Sequence, residues 1–187
     1  FPPQNPDLKP EKLMNYELSF TQRLLGGALS YGVNVFYIDG DNMIQTLPVN
    51  GRPMNVNTGR VENWGVEGDV AWRLCAAWSV SANYSYLHMA YPVVAAPEHK
   101  LYVGGAFTRG RWNASTGIQY VHGLYTQVKP KELTDSFVLW NANVTFRVTR
   151  WLDLFVRGEN LLAQRYEINA GFPMPKATAL GGVNVNF

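Results

Sequence analysis

Apolar and polar side chains alternate along almost the whole chain, and this period of two residues constrains the fold more than any other feature. Residues 78–86 show it most clearly, with Trp, Val, Ala and Tyr at even positions and Ser and Asn at odd ones. Successive side chains of a β-strand point to opposite faces of its sheet, so the pattern predicts two-faced strands. Nine are predicted, over residues 13–24, 28–44, 59–74, 78–88, 99–108, 112–125, 137–148, 152–161 and 178–187.

The connections between the predicted strands alternate in length. Short ones follow Leu24, Leu74, Thr108 and Val148, and longer ones fall near 45–58, 89–98, 125–136 and 162–177. Transmembrane barrels have this asymmetry, with tight turns on the periplasmic side and long loops outside. A water-soluble barrel would place its apolar side chains inside, and alternation alone does not separate the two.

Aromatic side chains gather near the ends of the predicted strands. They are Trp64, Trp72, Trp78, Tyr84, Tyr86, Trp112, Tyr120, Trp140 and Trp151. Bands of such rings mark the two interfaces of a bilayer. Together with the loop asymmetry and strands of more than ten residues, they favour a membrane barrel. Hydrocarbon offers no hydrogen-bond partners, so such a sheet must close on itself.

The composition limits the other classes of protein. Charged residues make up 16% of the chain, against about 25% in an average soluble domain. The net charge of +2, without a basic run, argues against a nucleic-acid partner. No apolar run reaches the ~18 residues of a transmembrane helix. The single cysteine, Cys75, has no partner for an internal disulfide, and we interpret it as a passive residue near a turn.

An odd number of strands predicts that the chain is part of a larger barrel. Single-chain bacterial barrels have an even number. Nine strands paired by short turns would begin on the long-loop side and end on the short-turn side. We therefore expect the remaining strands from another polypeptide segment, although a fragment could also pair with itself.

Five segments resemble motifs of TonB-dependent receptors, in the order that the family has them. They are NPDLKPE at 5–11 followed by NYELSF at 15–20, NTGR at 57–60 with GVEG at 65–68, PEHK at 97–100, RGENLLAQRYE at 157–167, and the terminal Asn186-Phe187. One departure is Pro175-Lys-Ala177, where the family often has Pro-Gly-Arg before its last strand. The resemblance spans almost the whole chain.

The resemblance implies that residues 1–187 are the C-terminal part of a transmembrane β-barrel of about 22 strands in the outer membrane of a Gram-negative bacterium. Such receptors hold an N-terminal plug domain in the lumen and bind scarce nutrients such as ferric siderophores, haem, cobalamin or glycans. The TonB complex energises import, through an N-terminal part that we expect this chain to lack. No cofactor is implied. The expected partners are the remaining strands, the plug, TonB, outer-membrane lipid and the nutrient.

Three groups of candidate residues follow. Outer-loop residues that could grip an anionic chelate by stacking and cation–π contacts are Tyr91, Tyr125, Gln127, Lys129, Lys131, Arg165, Phe172 and Met174. Charged residues expected to face the lumen, and there a plug, are Glu17, Glu67, Asp69, Arg73, Arg147, Asp153, Arg157 and Glu159. Phe187 resembles the terminal aromatic that the barrel-assembly machinery recognises.

Each group also has a simpler interpretation. The loop residues could belong to ordinary polar loops with aromatic anchors at the membrane rim. The charged residues could pair with one another along the barrel wall, and Phe187 could pack against lipid. Tyr166 belongs to a family motif and is interpreted as structural. No nucleophile–base pairing or metal-ligand cluster stands out, so we expect neither an enzyme nor a metal site. A passive pore or an adhesive or structural barrel is the main alternative, and an outer-membrane hydrolase is a third.

Overall fold

The computed structural model describes residues 5–185, which form one open antiparallel sheet of nine strands. The strands of this sheet, in spatial order, are β1 (Lys12–Leu24), β2 (Leu29–Val49), β3 (Arg52–Arg73), β4 (Trp78–Met89), β5 (Pro97–Arg109), β6 (Trp112–Gln127), β7 (Leu133–Arg147), β8 (Leu152–Glu159) and β11 (Thr178–Val185). A separate two-stranded sheet joins β9 (Glu167–Asn169) and β10 (Phe172–Pro173). The nine predicted strands and their antiparallel arrangement are confirmed.

Strands β1 to β8 pair in sequence order and β8 then pairs with β11, so that β1 and β11 form the two edges of the large sheet. Among residues 5–185 the single helix is the 3-10 turn Leu25–Gly27, and no helix there has the length and apolar character needed to cross a bilayer. The terminal Phe187 lies outside the described residues.

The register gives the sheet one apolar and one polar face. A row of neighbours across five strands, Val70, Ala82, Val103, Ile118 and Trp140, lies on the apolar face. One position along, the row Ala71, Ser81, Gly104, Gly117 and Asn141 lies on the polar face. The apolar face is uncovered: Leu18 is 75% exposed and Val103 is 49% exposed. Such a face in water would be unfavourable, and hydrocarbon suits it.

Two belts of rings border the apolar face. The short-turn belt consists of Trp72, Trp78, Phe107 and Trp112, and the loop-side belt consists of Trp64, Tyr86, His99 and Tyr120. On each of β3 to β6 the two belt residues are eight positions apart, which corresponds to about 26 Å along a strand. A strand tilt of about 40° reduces this to about 20 Å, comparable with the ~25 Å apolar band of outer-membrane barrels.

The connection between β2 and β3 corrects the prediction of a long loop near 45–58. The strands continue to a two-residue turn, Asn50-Gly51, where both residues have positive φ, 51° and 74°. Asn-Gly is the preferred sequence of such a tight hairpin turn. Pro48 and Pro53 face each other directly behind the closing pair. In an antiparallel hairpin the pair behind the closing pair is a non-hydrogen-bonded pair, in which neither residue donates its N–H to the other strand. The two prolines therefore do not interrupt the hairpin.

The projecting hairpin is held by the segment that precedes β1. The side chain of Asn57 donates to the carbonyl of Lys9 at 2.9 Å and accepts from the Lys9 amide at 2.7 Å. The carboxylate of Glu11 accepts from the amide of Ile44 at 2.5 Å. Two of the recognised sequence motifs, at 5–11 and 57–60, therefore contact each other.

Small residues of the polar face make room for aromatic rings. The ring of Tyr102 lies over Gly104 of its own strand and Gly117 of β6, where a Cβ atom would overlap it. Phe155 covers Gly182 in the same way. The two rings therefore lie over the glycines of the polar face.

Candidate ligand site at the loop end

The segment between β8 and β11 folds back onto the polar face. It has a small core of its own, in which Val121, Leu124 and Phe137 are buried and Tyr166 and Ile168 pack against them. The rings of Phe137 and Tyr166 lie 4.2 Å apart between centroids. Contact with these apolar side chains fixes the segment against β6 and β7.

Asn160 anchors the start of this segment. It is buried, with 5% of its surface exposed, and its backbone is in the left-handed region, at φ 47°. Its side-chain amide donates to the carbonyls of Gln164 and Pro175, at 2.9 and 3.1 Å, while its Oδ1 accepts from the Gln164 amide at 2.9 Å. The backbone amide of Asn160 donates to Asn141 Oδ1 at 2.9 Å. One side chain thus ties both ends of the segment together.

Two carboxylates hold the β9–β10 hairpin through backbone amides. Asp135 of β7 accepts from the Glu167 amide at 2.9 Å, and Glu167 accepts from the Gly171 amide at 2.8 Å. The amide of Ala170 donates to the carbonyl of Thr126 at 3.0 Å. These hydrogen bonds fix the two carboxylates against the hairpin backbone.

A cleft of about 470 Å³ opens between this hairpin and the end of β7. Its lining consists of Asp135, Arg165, Tyr166, Glu167, Pro173, Met174 and Lys176. A smaller cavity of about 200 Å³ adjoins it and shares Tyr166, Met174 and Lys176. The Arg165 and Lys176 side chains are exposed and form no ion pair within residues 5–185.

The phenol of Tyr166 adds a neutral donor to the cleft. Burial raises the pKa of Tyr166 above its usual value, and the nearby carboxylate of Glu159 raises it further. The hydroxyl therefore stays protonated at neutral pH and can donate a hydrogen bond. With a guanidinium, an ammonium and a thioether beside it, the cleft offers donors and cations to a ligand rich in acceptors.

The residues predicted to bind a ligand from the outer loops lie at several different positions in the structure. Arg165 and Met174 line the cleft, and Phe172 is 72% exposed in β10. Lys129 and Lys131 are exposed in the β6–β7 connection, and Tyr91 is exposed in the β4–β5 connection.

Two predicted loop positions need correction, since Tyr125 and Gln127 belong to β6. The side-chain amide of Gln127 donates to the carbonyl of Lys131 at 2.9 Å, and the carbonyl of Tyr125 accepts from the backbone amide of Ala95 at 2.8 Å. The first bond closes the connection between β6 and β7, and the second joins β6 to the β4–β5 connection. Strand β6 continues past the point where apolar and polar residues stop alternating. Its last pairs are irregular, with register shifts on either side of Leu124–Tyr125, and these shifts disturb the alternation.

Sequence reasoning missed Lys176 and Asp135 as lining residues. Asp135 lies 32 positions from the amide that it binds, a contact without a sequence signature. Lys176 could have been suspected, because it replaces the glycine expected between Pro175 and Ala177.

All the charged residues predicted to face the lumen lie on the polar face by register: Glu17, Glu67, Asp69, Arg73, Arg147, Asp153, Arg157 and Glu159. Arg147 pairs with Asp153 at 3.7 Å, and Glu67 accepts from Asn34 at 3.5 Å. The pairing along the wall is thus partial among the described residues.

Histidines that are far apart in sequence come together on the apolar face. His99 and His122 are cross-strand neighbours with ring centroids 5.8 Å apart, and His88 packs against Trp64. Tyr84 and Ser136 hydroxyls lie 2.7 and 3.0 Å from the Nδ1 atoms of His99 and His122. Within residues 5–185 no group of three or more His, Cys, Asp or Glu is arranged to hold a metal. His88 and His122 thus extend the loop-side belt, which already includes His99.

An antiparallel meander with an exposed apolar face between two aromatic belts is the wall of a transmembrane β-barrel. Residues 1–161 match the family model described as TonB dependent receptor-like, beta-barrel. The chain belongs to this family.

Solved structures share the fold. The ferric-catecholate import receptor Fiu of E. coli K12 is 21% identical, with a TM-score of 0.74 over 98% of this chain and 29% of that receptor. The siderophore receptor PirA of Acinetobacter baumannii is 15% identical, with a TM-score of 0.77 over 97% of this chain and 32% of the receptor. The chain thus spans about 30% of the length of these receptors. No curated protein sequence matches it.

Proposed function

We propose that residues 1–187 form the C-terminal part of the barrel of an outer-membrane receptor that imports a scarce nutrient with energy from TonB. Membership of the family and the likeness to receptors named for ferric-catecholate and siderophore import support this proposal. The free edges of β1 and β11 would pair with the remaining barrel strands. The TonB complex would act through an N-terminal part outside this chain.

The polar face would line the lumen and contact the plug domain. The charges that support this are those with no ion pair in residues 5–185, such as Glu17, Asp69, Arg73 and Arg157. A plug that supplied opposite charges would satisfy them, whereas an empty pore would leave them to water.

The nutrient would be captured at the loop end, and the cleft beside Tyr166 is the best candidate contact. The observation that carries this is that the exposed cations Arg165 and Lys176 form no ion pair among residues 5–185, although both line the cleft. A ferric chelate with anionic oxygens has the matching chemistry. Phe172, Tyr91, Lys129 and Lys131 would add contacts from the same end of the barrel.

The full-length protein that carries this chain provides the test. A deletion strain should fail to grow on one source among ferric catecholates, haem and cobalamin, and growth should require both the protein and TonB. Arg165→Gln with Lys176→Gln should raise the Kd for that source by about tenfold or more, since a hydrogen bond to a charged group contributes about 1.5–3 kcal/mol.

The matched control is Lys9→Gln with Lys12→Gln, which removes two exposed cations of the loop end at the far edge of the sheet. It should leave the Kd unchanged. Uptake that is independent of TonB would contradict active transport and favour the passive pore. An unchanged Kd in the Arg165/Lys176 variant would exclude the cleft as the ligand contact.

A further inference from the structure

Among residues 5–185 the short-turn end of the sheet carries arginine and no lysine, whereas the loop end carries lysine together with Arg52, Arg60 and Arg165. Six arginines lie at the short-turn end: Arg23, Arg73, Arg109, Arg111, Arg147 and Arg150. Every lysine lies at the loop end: Lys9, Lys12, Lys100, Lys129, Lys131 and Lys176. The one carboxylate that pairs with a short-turn arginine is Asp153, which binds Arg147. The short-turn end therefore carries a strong positive charge within the described part of the chain.

Three of these arginines lie beside the short-turn belt. Arg109 is the register partner of Trp112, so its side chain belongs to the apolar face. Arg111 and Arg150 lie in the β5–β6 and β7–β8 turns. The Arg147 amide donates to the carbonyl of Arg111 at 2.8 Å, which brings these two turns next to each other.

The indole rings at this end are as accessible as the guanidinium groups. Trp78, Trp112 and Trp151 are each about half exposed, and the ring of Trp112 packs on Phe146 at 4.6 Å between centroids. Indole prefers the headgroup level of a bilayer. The rings therefore place the neighbouring guanidinium groups at the depth of the lipid phosphates.

No carboxylate of residues 5–185 forms an ion pair with Arg109, Arg111 or Arg150, and all three are exposed. A guanidinium group matches the geometry of a phosphate through paired hydrogen bonds, which an ammonium group does not reproduce. A cluster of free guanidiniums beside interfacial tryptophans fits an anionic lipid better than a soluble acidic partner, because the rings occupy the lipid side of the same surface.

We propose that Arg109, Arg111 and Arg150 bind the phosphate groups of anionic phospholipid, of the phosphatidylglycerol type, in the leaflet on the short-turn side. This rests on the membrane placement in the proposed function. The lipid would fix the depth of the short-turn end and would have to be present for full anchoring of these turns. The attraction is electrostatic, so it should weaken with ionic strength.

The test uses the full-length protein in phosphatidylcholine bilayers that contain phosphatidylglycerol. Tryptophan fluorescence is quenched by brominated chains carried either by phosphatidylcholine or by phosphatidylglycerol, and the ratio gives the lipid preference. The wild type should prefer phosphatidylglycerol. Arg109→Gln with Arg111→Gln and Arg150→Gln should lower this preference at least about fivefold, the change that corresponds to one lost basic contact of about 1 kcal/mol.

The matched control is Lys9→Gln with Lys12→Gln and Lys100→Gln, which changes the net charge equally at the other end and should keep the preference. Quenching by brominated phosphatidylcholine shows whether each variant has inserted. Equal preference in the wild type, or an equal loss in the lysine control, would overturn the lipid site while leaving the membrane placement intact. Absence of quenching by either lipid would instead overturn the placement itself, and the lipid site with it.

Discussion

Val103→Arg is expected to destabilise the protein in a bilayer by about 2–4 kcal/mol, the cost of an arginine at the midplane of the lipid face of an outer-membrane barrel. Val103 lies on the apolar face, midway between the belt residues His99 and Phe107 of its own strand. A guanidinium there is far from either headgroup region. The measurement is the free energy of unfolding of the full-length protein in lipid vesicles by urea titration.

Asn83→Arg is the matched control for that experiment. Asn83 is exposed on the polar face, at nearly the same height and on the neighbouring strand, since it pairs with Tyr102. Its replacement should change the unfolding free energy by less than about 1 kcal/mol, as expected for an exposed site on the polar face. Equal costs at both positions, or a larger cost at Asn83, would mean that the faces are assigned the wrong way round.

Asn160→Ala is expected to release the segment that forms the ligand cleft. Three hydrogen bonds of its side chain would be lost, and the carbonyls of Gln164 and Pro175 would lose this donor. At about 1 kcal/mol per bond, the opening free energy of the segment falls by about 3 kcal/mol. Amide hydrogen exchange of residues 161–177 should therefore accelerate by about two orders of magnitude.

Asn169→Ala controls for the loss of an amide side chain from the same segment. Asn169 is exposed in β9, and its side chain forms no hydrogen bond within residues 5–185. Exchange of the segment should remain slow in this variant. If Asn160→Ala exchanged no faster than Asn169→Ala, the segment would be held by its apolar contacts with Phe137 alone.

The strands could be predicted because one face of the sheet is apolar and suits lipid while the other is polar, so that apolar and polar residues alternate along each strand. On β4 the residues Trp78, Val80, Ala82, Tyr84 and Tyr86 lie on the apolar face, and the residues between them are Ser or Asn. The prediction failed at residues 45–58, where two prolines suggested a loop. There the Asn50-Gly51 turn and the position of the prolines in the ladder decide the structure. Hairpin chemistry, and not hydrophobic periodicity, was the informative signal.

The candidate site was only partly accessible from sequence. Arg165 and Met174 were predicted because loops at one end of a barrel carry binding residues. The cleft also depends on the contact between Asp135 and the Glu167 backbone and on the burial of Phe137 under Tyr166. The first contact joins a side chain to a backbone amide and the second joins two rings, in both cases between residues that are far apart in the chain, so neither has a local sequence signature. The histidine row on the apolar face arose in the same way, from register.

The alternation of environment along β4 tests the account most directly. Single cysteines at residues 79–84, in a Cys75→Ser background of the full-length protein, would carry nitroxide labels in lipid bilayers. We predict that labels at Val80, Ala82 and Tyr84 collide mainly with oxygen, which dissolves in lipid, and that labels at Ser79, Ser81 and Asn83 collide mainly with a water-soluble nickel chelate. Accessibility to the nickel chelate at all six positions, or a reversed alternation, would contradict a sheet whose apolar face meets lipid.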